Sequence, residues 1–159
     1  MADIIRNTNF MIADCIIWKK KSALPNNVSK NKLTRITEFV FVICRKNEFK
    51  TFNANKKIMS HSSKGQAYYE NIYNFIEAPN NDGPCNLNKA TYSSELCEKL
   101  LNIYANNNSI VYDSFMGTGT TAVACKKFNN FDNNIICIGS ELSEAQIEFS
   151  NVRLNNIKP

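Results

Sequence analysis

A chain of 159 residues is one domain long, and a complete fold of that length buries roughly two thirds of the surface of its unfolded chain. The net charge of +5 is laid out unevenly: residues 1–64 hold 13 Lys/Arg against 4 Asp/Glu, while residues 65–159 hold 6 against 10. No run of 18 apolar residues occurs, Asp3, Arg6 and Asp14 break the opening segment, and Cys15, Cys44, Cys85, Cys97, Cys125 and Cys137 form no CxxC pair. A spanning helix, a secretory leader and a thiolate metal site are therefore disfavoured, and a soluble cytoplasmic protein with reduced thiols and no metal is expected.

Phe10 to Trp18 and Ile36 to Cys44 are the strongest strand candidates, rich in isoleucine, valine and aromatics, and are expected to pair antiparallel. The polar loop between them holds Lys19-Lys20-Lys21 and Pro25-Asn26-Asn27. A basic half of this kind suits a polyanion, although a solvated lysine-rich surface in a chain with 25 asparagines fits the same surplus. Residues 45–87 show no sustained period and carry turn formers at Ser60-His61-Ser62-Ser63-Lys64-Gly65 and Asn80-Asn81-Asp82-Gly83-Pro84, so they read as an irregular insertion. His61 has no evident chemical partner and reads as a surface residue.

From Ser93 the pattern turns helical: Ser93 or Ser94 can cap, and Leu96, Cys97, Leu100, Leu101 and Tyr104 fall on one face. Strand Ile110 to Asp113, a helix over Thr120 to Phe128 capped by Thr118 or Thr120, strand Ile135 to Ile138 and a last helix from Ser143 complete a β-α-β-α unit. Ser143 with Gln146 three residues later has the spacing of a capping box.

The most informative stretch is the turn inside that unit. Gly117 and Gly119 supply backbone angles and close approach that side chains forbid, where a strand hands over to a helix. Glu141 lies 22 residues beyond Gly119, about where a β-α-β unit places the acid that binds ribose hydroxyls. Ala122 stands where a dinucleotide fingerprint would have its third glycine. Asp113 adds a second carboxylate at the same strand edge, which suits a cationic amine better than a pyrophosphate. S-adenosylmethionine has that amine, a sulfonium and no phosphate.

Asp113-Ser-Phe-Met-Gly-Thr-Gly-Thr-Thr121 resembles the cofactor motif of the N4-cytosine/N6-adenine DNA methyltransferases. Asp14-Cys-Ile-Ile-Trp-Lys-Lys20, Leu24-Pro-Asn-Asn-Val-Ser29, Leu33-Thr-Arg35 and Asn88-Lys-Ala-Thr-Tyr-Ser-Ser-Glu-Leu96 are similar to further blocks of that family. Their order resembles the permuted branch, over about Asn9 to Ile157. The resemblance implies an α/β chain with a partial Rossmann-like, S-adenosylmethionine-dependent methyltransferase fold. Residues 1–45 would be a strand pair with a basic loop, 46–87 an insertion placed where a target-recognition segment is expected, and 88–159 the cofactor-binding unit, all in one domain that is expected to be incomplete.

By the same resemblance, Thr91, Ser93 and Ser94 meet the cofactor carboxylate, with capping as the other use of the two serines. Phe115 packs on the adenine or the methionine part, with ordinary core packing as its other use, and Asp113, Gly117, Gly119, Thr120 and Glu141 form the cradle. Double-stranded DNA is the implied partner, with Lys19, Lys20, Lys21, Lys30, Lys32 and Arg35 on its phosphates and Asn26, Asn27 and Asn31 as candidates for adenine edges. Trp18 and Pro25 lie near the base pocket, where Trp18 either stacks on an extruded base or belongs to the sheet core. Ser114 stands where the family more often has proline.

The family's (Asp/Asn/Ser)-Pro-Pro-(Tyr/Phe/Trp) tetrapeptide, which holds the target amine, is missing: Pro25, Pro79, Pro84 and Pro159 stand alone. No catalytic residue is assigned, and the strands that would separate the strand pair from the cofactor unit are not represented. The chain is expected to be the C-terminal part of such an enzyme, needing a second chain for the motif and central strands. A non-catalytic remnant that binds cofactor or DNA is the alternative, and a nucleotide-binding oxidoreductase a third reading. Adenine N6 and cytosine N4 both stay open as targets.

Overall fold

The computed structural model describes residue 5 and residues 7–23, 25–51, 53–129 and 133–157. Asp3, Arg6, Leu24 and Pro159, all used in the sequence reading, lie outside them. The chain divides into two compact units, residues 1–77 and 78–159.

In the first unit β1 (Phe10–Lys20) and β2 (Thr37–Arg45) pair antiparallel, the neighbours expected from their branched and aromatic residues. The register places Ile12 opposite Ile43, Cys15 opposite Phe41 and Ile17 opposite Phe39 on one face, with a shift between Ile12 and Asp14. Ile16 and Trp18, two residues apart on β1, are buried.

Residues 45–87 are less irregular than their sequence suggests. A 3-10 turn (Lys46–Glu48) is followed by β3 (Ile58–His61) and β4 (Ala67–Tyr69), an antiparallel hairpin, and by β5 (Phe75–Ala78), which bonds to β1 in the order β2-β1-β5. Strands of three or four residues are too short to display a period of two above background. Asn74 ties the start of β5 to β1, its Nδ2 donating to the Cys15 carbonyl at 3.0 Å.

The second unit contains α1 (Ser94–Tyr104), β6 (Ile110–Asp113), α2 (Thr120–Asn129), β7 (Ile136–Gly139) and α3 (Glu144–Asn155). Ser93 is the cap of α1, its hydroxyl oxygen accepting from the Leu96 N–H at 3.3 Å. The apolar faces of α1 and α2 meet through Cys97, Leu101, Ala124, Cys125 and Phe128, together with Ile135. β6 and β7 pair parallel, with Val111 opposite Cys137, and both of these pack on that cluster.

Alternation along a strand sends Ile110, Tyr112, Ile136 and Ile138 to the opposite face, and all four are exposed. Among the described residues β6 and β7 bond only to each other. Helices therefore cover one face of this sheet and leave the other bare.

The Ser143–Gln146 capping box does not form. Ser143 occupies the cap position of α3 without a side-chain bond, and Gln146 accepts from Asn88 Nδ2 instead. The Glu141 carboxylate takes over the cap, accepting from the Ser143 N–H at 2.9 Å.

Candidate functional site

The second unit gathers its chemistry at the C-terminal ends of β6 and β7, the edge where open parallel sheets bind ligands. Asp113 ends β6. Its Oδ1 accepts from the Phe115 N–H at 3.0 Å, and its Oδ2 from the Thr121 hydroxyl at 2.6 Å and the Tyr92 hydroxyl at 3.3 Å. The Tyr92 and Thr121 hydroxyl oxygens lie 2.9 Å apart, so with the Thr121 proton on Asp113 the single Tyr92 proton is shared between Thr121 Oγ1 and Asp113 Oδ2. Three of roughly four lone-pair sites are thus filled, which locks the carboxylate's orientation. Burial of Tyr92 pushes its phenol up to about 12, so it acts here as a neutral hydrogen-bonding group.

The loop after Asp113 is pinned to the loop after β7. The Ser140 N–H donates to the Asp113 carbonyl and the Met116 N–H to the Ser140 carbonyl, both at 2.9 Å. Gly117 has φ +55° and Gly119 φ +81°, angles that disfavour any side chain. The Gly117 N–H donates to Glu141 Oε2 at 2.8 Å, so the glycine turn and the acid, joined in the sequence by their spacing, are in direct contact. Glu141 also accepts from Leu142 and Ser143, and the Ser143 N–H, helped by those of Gly117 and Leu142, holds its carboxyl below the usual range.

The space where a Cβ of Gly119 would sit is filled by the neighbouring helix: such an atom would lie 2.0 Å from Ser150 Oγ and 2.8 Å from Ser150 Cβ. Gly119 therefore permits close packing of α3, where the sequence suggested close approach of a ligand. At Gly117 a Cβ would lie 3.4 Å from Asn88 Nδ2 and from Gln146 Oε1.

Phe115 is 88% exposed and Leu142 100% exposed, two large apolar side chains on the loops that carry Asp113 and Glu141. Leu142 was missed in the sequence, although its place directly after the acid marks it. Thr91 and Thr120 line a narrow cleft with Asp82, Tyr92, Thr118 and Arg153. Ser93 is fully buried with its oxygen engaged as the α1 cap, and Ser94 donates its hydroxyl to Asp82 Oδ1 at 3.1 Å. Of the expected carboxylate-binding group, Thr91 alone lines the cleft.

In the first unit the six basic candidates divide. Lys19 Nζ lies 2.7 Å from Glu77 Oε2, Lys20 is paired with Glu38, and the Lys20 ammonium sits 5.3 Å from the centre of the buried Trp18 ring. Lys21, Lys30, Lys32 and Arg35 are exposed on the β1–β2 loop. Asn26 folds that loop on itself, its N–H donating to the Thr34 hydroxyl and its Nδ2 to the Lys32 carbonyl at 3.3 Å. Asn31 accepts from Ser29 at 2.9 Å, and Pro25 and Asn27 are exposed. No group of three or more potential metal ligands occurs among the described residues, and no helix there is long and apolar enough to cross a membrane.

A family model described as DNA methylase, of the N6/N4 type, matches residues 1–152. The orphan methyltransferase M.BamHII of Bacillus amyloliquefaciens is 28% identical over 95% of this chain and 65% of its own length. Among solved structures, the M1.HpyAVI–SAM complex superposes with a TM-score of 0.61 at 28% identity, over 97% of this chain and 67% of that one. The cytosine-N4-specific PvuII DNA methyltransferase reaches a TM-score of 0.70 at 18% identity, over 99% and 56%, a likeness of fold: the α/β, Rossmann-like arrangement that the resemblance implied. The chain thus spans about two thirds of M.BamHII.

Proposed function

Given that this chain belongs to the N6/N4 DNA methylase family, we propose that its second unit binds S-adenosylmethionine and serves methyl transfer to an exocyclic amino nitrogen, adenine N6 or cytosine N4, of DNA. The observation that carries this reading is the direct Gly117–Glu141 contact between a positive-φ turn and an acid, flanked by the bare side chains of Phe115 and Leu142. An acid for ribose hydroxyls beside apolar surface for a purine suits a nucleoside, and the second carboxylate, Asp113, at the end of β6 suits a cationic amine better than a pyrophosphate. A SAM complex of the related M1.HpyAVI supports the same choice.

Glu141 would hold the ribose, Phe115 and Leu142 would cover the base, and Asp113, oriented by Thr121 and Tyr92, would face the amino-acid end with Thr91 on its carboxylate. The cofactor supplies an electrophilic methyl on a sulfonium. What this chain contributes is position, since an in-line displacement depends chiefly on holding two groups in register. No residue here is assigned to hold the target amine, and no Pro-Pro dipeptide occurs.

The bare β6–β7 face supports a completing polypeptide. Parallel sheets are stable when both faces are covered and both edges bonded, so a polypeptide that bonds further strands to the open edges, covers the bare face and brings the amine-holding tetrapeptide would complete both sheet and active site. The exposed Lys21, Lys30, Lys32 and Arg35 would meet DNA phosphates, and residues 46–87, with the β3–β4 hairpin, would form a target-recognition segment. A cytoplasmic, DNA-associated protein follows from that role.

A non-catalytic cofactor-binding role is the second reading, favoured by the missing tetrapeptide. Transfer of labelled methyl from S-adenosylmethionine to DNA, assayed with the chain alone and with a polypeptide carrying the tetrapeptide, separates the two. Calorimetric binding with transfer only when both are present is the expected result. Binding without transfer in either mixture leaves the second reading, and no heat with the cofactor overturns both.

A further inference from the structure

α3 has an unusual inner face. Gln146, Ser150 and Arg153, spaced by four and three residues and hence on one side of the helix, all meet the glycine turn or its partners. Gln146 lies against Gly117, Ser150 fills the missing side chain of Gly119, and Arg153 Nη1 donates to the Thr118 carbonyl at 2.9 Å and the Thr120 hydroxyl at 3.3 Å. Arg153 Nη2 reaches Asp82 Oδ2 at 2.7 Å, and Asp82 Oδ1 accepts from the Ser94 N–H at 2.8 Å. One guanidinium therefore ties the turn to α3 and, through Asp82, to the start of α1. Thr118 sits between the two positive-φ glycines, where the backbone has fewest local restraints of its own.

We propose that Arg153, held by Asp82, is the positioning residue of the cofactor cradle: it fixes the Thr118–Thr120 backbone so that the Gly117 N–H and Glu141 are presented together to a nucleoside. Arg153 acts through the turn and touches no reacting atom. A planar fork can serve a carbonyl, a hydroxyl and a carboxylate at fixed angles, which an ammonium cannot. Arg153 is the one basic residue of α3 and stands in its last turn. The inference rests on the cofactor reading above.

The test uses the full chain as wild type, Arg153→Met, Arg153→Lys, Asp82→Asn and the Arg153→Met/Asp82→Asn double variant. Amide hydrogen exchange over residues 117–121 reads the turn directly, and calorimetric titration with S-adenosylmethionine reads its consequence. Arg153→Met should speed exchange in the turn about tenfold with α1 unchanged and weaken cofactor binding about tenfold, ~1.4 kcal/mol. Arg153→Lys should recover part of this. Asp82→Asn should shift both in the same direction by less, and the double variant should bind no more weakly than Arg153→Met, because both changes cut one network. Unchanged exchange in the turn, additive losses in the double variant, or a lowered Tm with unchanged affinity would each overturn the proposal. Absence of heat with the wild type overturns the cofactor reading itself, while the exchange data still decide whether the clamp exists.

Discussion

At the scale of single residues, the site is a set of carboxylates already engaged by backbone and hydroxyl donors. Glu141 shows this best: its three bonds from Gly117, Leu142 and Ser143 favour the ionised form and lower its proton affinity. A depressed carboxyl stabilises the folded turn wherever it is ionised, so its contribution is complete above the ordinary value of 4.5 and disappears as pH falls through the lower folded-state value. Cofactor affinity measured by calorimetry should therefore hold from neutral pH down to about 4.5 and drop only below it, whereas Glu141→Gln should be weak throughout with that acid limb removed. A wild-type affinity that already halves between pH 7 and pH 6, on the order of two units above the usual Glu range, would contradict this assignment. That Asp113, Gly117 and Glu141 lie side by side was legible because glycine and acid spacing in a β-α-β unit is short-range and stereotyped, whereas the packing of Gly119 on Ser150 was not. Tyr92, Thr121 and Leu142 were not, since a hydroxyl or an exposed leucine acquires meaning only from what lies beside it.

Among elements, the packing of α3 on the glycine turn is the tightest constraint in the second unit. Gly119→Ala faces two separate costs: a positive φ, and a Cβ placed 2.0 Å from Ser150 Oγ. Adding Ser150→Gly removes the collision with the side chain and leaves a 3.3 Å approach to Cα, a backbone cost of about 1 kcal/mol for a non-glycine residue in the left-handed region and a smaller one for a glycine inside α3. Thermal melts should therefore rank wild type above Gly119→Ala/Ser150→Gly, with Gly119→Ala lowest, and equal Tm values for the last two would refute the steric account. The starts of seven elements were placed from sequence to within one residue, β1, β2 and the three helices by their apolar pattern and the four-residue β6 and β7 by the glycine turn and acid that follow them. The hairpin β3–β4 and strand β5 escaped because so few residues carry no period and, unlike β6 and β7, no adjoining motif marks them, and the capping box failed because Asn88, 58 residues away, competes for Gln146. Long-range partners of that kind leave no mark on local spacing.

For the whole molecule, the decisive feature is the unshared face of β6 and β7. Ile110, Tyr112, Ile136 and Ile138 present apolar surface that a two-sided α/β sheet would bury. The isolated chain should bind an exposed-hydrophobe dye and lose that signal when a completing polypeptide is added; a cooperative melt without dye binding would speak against the need for one. The burial of the thiols adds a practical consequence. Cys97 is pushed up to about 12 by desolvation, Cys125 is 2% exposed, and both sit in the core shared by α1 and α2, while Cys15 and Cys44 on β1 and β2 are only half-buried. Since only an accessible thiolate reacts, an alkylating reagent marks the strand pair early and the helical core late. The delay is an internal clock for how often the second unit breathes open.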